Sequence, residues 1–234
     1  MSCVSVHETH NILNAEFFMH NESSALEFIP VKIFTTSPDG HTIIDPEILL
    51  SAYCGGMFPM ADGPDGEIRW FSPEMRGIIP LNGLKISRSL KQTIRKRIFH
   101  IRIDADVEGT IRACADRDEV WISETIIRSY VNLHRMGFVH SVEAWHDGTL
   151  VGGLYGVAIG GAFFGESMFS RMTDASKAAL VALVRRLNER GFVLLDTQYR
   201  NSHLDTLGCM EIPKEEYLVL LNDAIQRDCH FSQE

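Results

Sequence analysis

Leu180, Leu183, Val184 and Leu187 recur at i, i+3, i+4 and i+7, a helical period that makes one apolar stripe. Thr173 or Asp174 is placed to cap that helix, Arg190 falls in its last turn, and Gly191 stands where a left-handed stop is wanted. An apolar strand, 192–198, follows at once, and 162–164 is a strand candidate ahead of the helix. A strand, a crossover helix and a second strand must share one sheet, which constrains the chain more than any other feature. Asp147-Gly148 is a hairpin dipeptide between strand patterns at 138–145 and 149–155, so antiparallel strands join that sheet. The expected fold class is α/β (α+β) with a mixed sheet.

Other segments are punctuated by turn residues. A helical pattern opens at Asp45-Pro46 and stops at Gly55-Gly56, and 57–66, rich in Gly, Pro and Asp, is expected to be a loop. Pro73 marks a boundary, giving a small N-terminal domain over 1–72 and a main domain over 73–234. Periodicity is weak in the first 40 residues, and poor order is expected over 1–35. Ser87 is placed to cap a basic helix to about Lys96, ahead of a strand at 99–103. Asp106 is placed to cap a helix to about Ala115. Ser123 is placed to cap another, with Ile126, Ile127, Tyr130 and Leu133 as its stripe and Gly137 as its stop.

The 234 residues are 45% hydrophobic and 23% charged, enough to bury a sizeable core. No apolar run reaches the roughly 18 residues of a membrane span, and the start lacks a basic region followed by an apolar one. Five scattered cysteines without a CxxC spacing fit a reducing compartment, so a cytoplasmic location is expected. The net charge of −9 is uneven: residues 1–50 carry seven acids and one base. Lys85, Arg88, Lys91, Arg95, Lys96 and Arg97 form a stripe with no acid among them. At physiological salt, screening acts over about 8 Å, so such a stripe can meet phosphates whatever the global sum, although a solvated helix face explains it equally well.

Candidate chemistry is sparse. Alternation along 192–198 puts Asp196 and Gln198 on one strand face, where an acid and an amide near a buried strand end need partners. A structural polar pair accounts for them as readily as a site does. Glu166 is a second acid in an apolar setting, in Phe164-Gly165-Glu166-Ser167-Met168-Phe169. No P-loop, HExxH or GxSxG is present, the glycines at 152–156 lack the GxGxxG turn, and the ten histidines are best taken as lone surface residues. Neither a metal nor a cofactor is expected.

Several blocks together resemble one family. Trp70-Phe71-Ser72-Pro73, Ile86-Ser87-Arg88-Ser89-Leu90-Lys91, His140-Ser141-Val142-Glu143-Ala144-Trp145, Leu150-Val151-Gly152-Gly153-Leu154-Tyr155-Gly156-Val157, Gly165-Glu166-Ser167-Met168-Phe169-Ser170-Arg171-Met172, Ala175-Ser176-Lys177 and Leu195-Asp196-Thr197-Gln198 are similar to the bacterial leucyl/phenylalanyl-tRNA–protein transferases, in the family's order. The resemblance implies a C-terminal domain like the GCN5-related N-acetyltransferases. It also implies transfer of Leu, Phe or Met from aminoacyl-tRNA to proteins beginning with Arg or Lys, tagging them for degradation by the N-end rule.

On that resemblance, Asp196 and Gln198 orient the attacking amine, with Asp196 its charged partner, and Glu166 holds substrate or the terminal adenosine. Trp121 and Tyr130 stack on that adenine or line the donor site, and Met168, Leu195 and Asn201 help bind substrate. The basic stripe meets the tRNA, and a monomer is expected. Two departures stand out: Met60 follows Phe58-Pro59 where the family usually has a tryptophan, and 1–35 match nothing in it. The competing readings are an acyl-CoA-dependent N-acyltransferase, for which no Gly-rich loop precedes Ala175, and a non-catalytic tRNA- or peptide-binding module.

Overall fold

The computed structural model describes residues 33–63, 66–116 and 121–232. The acidic stretch expected to be poorly ordered lies almost wholly outside the described residues. The chain opens with β1 (Phe34–Thr36) and β2 (Thr42–Ile44), which pair antiparallel, then α1 (Pro46–Cys54). Next come β3 (Phe58–Ala61), β4 (Ile68–Phe71), β5 (Met75–Ile78), α2 (Arg88–Arg95), β6 (His100–Ile103), α3 (Val107–Ala115) and α4 (Glu124–Arg135). A long meander follows: β7 (Val139–His146), β8 (Thr149–Ile159) and β9 (Ala162–Ser170). The chain then runs through α5 (Ala175–Glu189), β10 (Leu194–Gln198), α6 (Ser202–Asp205), β11 (Met210–Pro213) and α7 (Lys214–Ile225).

Seven strands form the central sheet in the order β11-β5-β10-β9-β8-β7-β6, and only β9 and β10 run parallel. The strand–helix–strand pattern therefore builds the one parallel step, as the periodicity requires. Both faces of the sheet are covered, and neighbouring strand residues serve opposite faces. Tyr155, Phe164 and Leu194 pack with α1, α3, α4 and α7, whereas Leu154, Phe163 and Leu195 pack with α2 and α5. Continuous apolar runs in β8 to β10 follow from that double burial.

Ser87, Asp106 and Ser123 each accept a backbone N–H of the helix they precede. Asp174 stands at the N-cap of α5 but caps nothing: it is left-handed, and its carboxylate accepts from Thr93 of α2 instead. The stretch 57–66, expected to be a loop, contains β3, which pairs with β4. Pro59 is tolerated there because a two-stranded ladder leaves an edge that needs no donor. Strand β9 runs six residues beyond Phe164, and β5 and β11 have no alternation that would have marked them. His140 is not a surface histidine: its Nδ1 bonds Asp104 Oδ2 at 2.8 Å and its ring stacks on Phe231. A separation of 36 positions hides that pair from any spacing rule.

Gly152 sets how closely α5 approaches the sheet. A β-carbon there would lie 2.5 Å from the Ala175 side chain and 3.0 Å from the Ser176 nitrogen. Gly152→Val should therefore destabilise the fold by about 1–3 kcal/mol, read from urea unfolding, because the helix start must move away from β8.

Candidate active site

Strands β9 and β10 pair at three positions only, Leu194 with Ala162, Leu195 with Phe163 and Asp196 with Phe164. Beyond that point β9 continues along β8, while β10 parts from β9 and stays paired only with β5. The gap holds a cavity of about 480 Å³ lined by Gly165, Glu166, Ser167 and Met168 on one side and Thr197, Gln198, Tyr199 and Asn201 on the other. Leu154, Leu180, Leu183 and Leu195 make an apolar wall, and Met60, Trp121 and Tyr155 close the far side.

The end of β10 bends sharply. The strand slips register against β5 between Asp196 and Gln198, and Gln198 adopts φ +63°. A residue with a β-carbon enters that region only at a cost, of about 1–3 kcal/mol, that its surroundings must offset. Here the Gln198 backbone N–H donates to Asp196 Oδ1 at 2.7 Å and its side-chain Nε2 donates to Glu166 Oε1 at 2.9 Å. With Nε2 turned to a carboxylate, the amide oxygen is the end left for the cavity.

Glu166 is almost enclosed. Tyr53 donates to its Oε1 at 2.7 Å, Tyr130 donates to its Oε2 at 3.0 Å, and the two tyrosine hydroxyls touch each other. Burial pushes the Glu166 carboxyl up to about 7, against the two tyrosine hydrogen bonds, which pull it down. Burial, reinforced by the Glu166 charge, holds Tyr53 and Tyr130 well above the ordinary phenol range, so both remain donors.

Asp196 is fully buried and faces away from the cavity. Arg76 of β5 clamps it, Nε at 3.0 Å from Oδ1 and Nη2 at 2.6 Å from Oδ2, and Tyr217 donates to Oδ2 at 2.8 Å. Arg76 also donates from Nη1 to the Gly56 carbonyl and lies between the rings of Phe58 and Tyr217. Burial alone would weaken the Arg76 charge, but the Asp196 carboxylate holds it firmly protonated.

The arrangement corrects two sequence-based expectations. Asp196 does not share the cavity side with Gln198, because the register slip and the left-handed bend between them break the alternation. It cannot meet an amine there, because Arg76, Tyr217 and the Gln198 N–H occupy its oxygens. Tyr130 does not stack on a ligand: it is fully buried behind Glu166 and is edge-on to Tyr155. Trp121, Met168, Leu195 and Asn201 do line the cavity, with Gln198 and Glu166. Tyr53, Arg76, Tyr155 and Tyr217 escaped the sequence reading. The only sequence signal for Arg76 is a lone cation in a short apolar tract.

Lys85, Arg88, Lys91, Arg95, Lys96 and Arg97 are all exposed, and none makes an ion pair with a described residue. Arg88, Lys91 and Arg95 share the solvent face of α2, while Leu90 on the opposite face is buried. Among the described residues no group of three His, Cys, Asp or Glu side chains converges as metal ligands, and no helix is long and apolar enough to cross a membrane.

Glu166 also makes stability depend on pH. Its folded pKa of about 7 lies above the ordinary 4.5, so folding favours the protonated carboxyl. That contribution is intact below about pH 4.5 and is lost as pH rises through about 7, a change of about 3 kcal/mol. Glu166→Gln should remove this pH dependence. The stability of the wild type relative to the variant should fall by that amount between pH 4.5 and 8 in denaturant titrations.

Two family models match the chain end on. "Leucyl/phenylalanyl-tRNA protein transferase N-terminal domain" covers residues 43–74, and "Leucyl/phenylalanyl-tRNA protein transferase" covers 78–222. A Rubrobacter xylanophilus protein named leucyl/phenylalanyl-tRNA–protein transferase is 52% identical over 190 residues, 81% of this chain and 99% of its own. A Gloeobacter violaceus protein of the same name is 52% identical over 188 residues, 80% of this chain and 97% of its own. The match spans α1, the clamp on Asp196, the cavity walls and the basic helix alike, and the chain belongs to the leucyl/phenylalanyl-tRNA–protein transferase family.

Proposed function

We propose that the chain moves Leu, Phe or Met from aminoacyl-tRNA to the N-terminal Arg or Lys of acceptor proteins, marking them for degradation by the N-end rule. The observation that carries this reading is the Gln198 amide, locked by Glu166 and Asp196 at the side of an apolar cavity. Leu154, Met168, Leu180, Leu183 and Leu195 suit an unbranched or γ-branched apolar side chain, and Trp121 suits the face of the terminal adenine. Action as a monomer and a cytoplasmic location belong to the same reading. A division near Pro73 into a small N-terminal domain and an acetyltransferase-like domain is part of the same proposal.

The reaction is aminolysis of an ester. The acceptor's α-amine attacks the aminoacyl carbonyl carbon, the new C–N bond forms as the bond to the ribose oxygen breaks, and the amine's proton ends on the leaving hydroxyl. A neutral amide is too weak a base to take that proton outright. Gln198 Oε1 instead accepts an amine N–H and aims the lone pair, which is positioning rather than proton removal. Glu166 holds the amide in register, and Asp196 fixes the backbone turn. The basic stripe holds acceptor-stem phosphates. Thr93 links α2 to Asp174 at the start of α5, the helix that supplies Leu180 and Leu183.

The deciding assay supplies radiolabelled Leu-tRNA or Phe-tRNA and a peptide beginning with Arg. Label in the peptide is the expected result, and no transfer by the folded wild type overturns the reading. Gln198→Ala should lower kcat about 10²-fold while leaving tRNA affinity unchanged, measured by single-turnover transfer and by filter binding. Replacing Arg88 and Lys91 together by Ala should weaken every accepted tRNA alike. It should also flatten the salt dependence of binding, by about 0.7–0.9 log units per log salt for each phosphate no longer neutralised.

A further inference from the structure

Resting on the reading of Gln198 as the residue that aims the amine, we propose that Arg76 and Tyr217 are positioning residues for the transfer reaction, acting on Gln198 through Asp196. Arg76 is 1% exposed, and its whole fork is engaged: two nitrogens on Asp196, the third on the Gly56 carbonyl, and an aromatic ring within 5 Å on each side. Such a guanidinium cannot turn, so neither can the carboxylate it grips. Asp196 Oδ1 is thereby held 2.7 Å from the backbone nitrogen of Gln198, the residue that carries the left-handed bend.

The strength of a buried ion pair is poor grounds for its presence, because desolvation cancels most of the attraction and an apolar pair would stabilise as well. What an apolar pair would not supply is an acceptor at the place where Gln198 must turn. Without that acceptor only the side-chain bond to Glu166 opposes the cost of the bend, and an extended Gln198 would carry its amide away from that carboxyl. Phe58 adds a second line to the same site: it lies under Arg76 and is edge-on to Tyr199, the next residue in the cavity wall. The clamp thus reaches the bend both through Asp196 and through Phe58. Tyr217 completes it by donating to Asp196 Oδ2 while its ring covers the guanidinium.

The test is a pair of cycles on kcat. A lysine ammonium in place of the guanidinium would keep the charge but could not bond both oxygens of Asp196 and the Gly56 carbonyl in one plane. Arg76→Lys should therefore lower kcat about 10²-fold, with KM for aminoacyl-tRNA and for peptide each within about threefold of wild type. Arg76→Lys combined with Gln198→Ala should be no slower than Gln198→Ala alone, because the clamp acts through that residue. Tyr217→Phe removes one hydroxyl and keeps the ring. It should cost about tenfold in kcat, and it should likewise add nothing to Gln198→Ala. It decides the matter if Arg76→Lys fails to fold. Wild-type kcat in the folded variants, or losses that multiply with Gln198→Ala, would overturn the proposal. A wild type that transfers normally while these variants do too overturns only this inference, whereas a wild type without transfer overturns the function itself.

Discussion

A guanidinium taken out of water needs an anion that cannot leave, and at Arg76 that requirement organises the centre of the protein. Asp196 supplies the anion from β10, Gly56 supplies a carbonyl from the end of α1, and Phe58 and Tyr217 supply the faces from β3 and α7. Four separate parts of the chain are held by one side chain. The slip of β10 against β5, the bend at Gln198 and the gap beside β9 all lie within reach of it. Stability alone would not select this arrangement, since charge burial is costly and fixed geometry is what it gives in return.

The cavity exists because the parallel pairing is short. Three rungs join β9 to β10, and the divergence beyond them opens the sheet between two well-packed faces. Residues from both faces therefore line one chamber: Leu180 and Leu183 from α5, and Tyr155 and Glu166 from the tyrosine side. An apolar chamber and a hydrogen-bonded carboxyl–amide pair become neighbours without any loop being asked to hold them. Rigid strand ends carry the polar groups, which suits a reaction whose demand is alignment.

Legibility in the sequence followed the range of the interactions. Helices capped by Ser87, Asp106 and Ser123, the turn at Asp147-Gly148 and the apolar stripe of α5 announce themselves because the deciding contacts lie within a few residues. The short strands β5 and β11 do not, because a glycine, a buried arginine and a proline replace the alternation that marks a half-buried strand. At the site, Asp196, Gln198 and Glu166 stood out as polar groups in apolar tracts. Their partners did not: Tyr53 and Arg76 meet them across more than a hundred residues, and a tyrosine in an apolar helix looks like any other core residue. Family resemblance supplied roles for Asp196 and Tyr130, and burial redefined both.

The place of β5 in the sheet has an entropic side. Strands β7, β8 and β9 follow one another through tight turns, so their pairing closes small loops and costs little chain entropy. β5 must instead insert between β10 and β11, and Arg76 reaches Asp196 across 120 residues of chain. Loop closure therefore costs that pairing more chain entropy than any turn of the meander. A molecule that has built only its meander already carries Glu166 on β9 but has no grip on Asp196, and so cannot hold Gln198 in its bend. Competence for transfer then depends on the docking of β5, and a molecule without it stays silent.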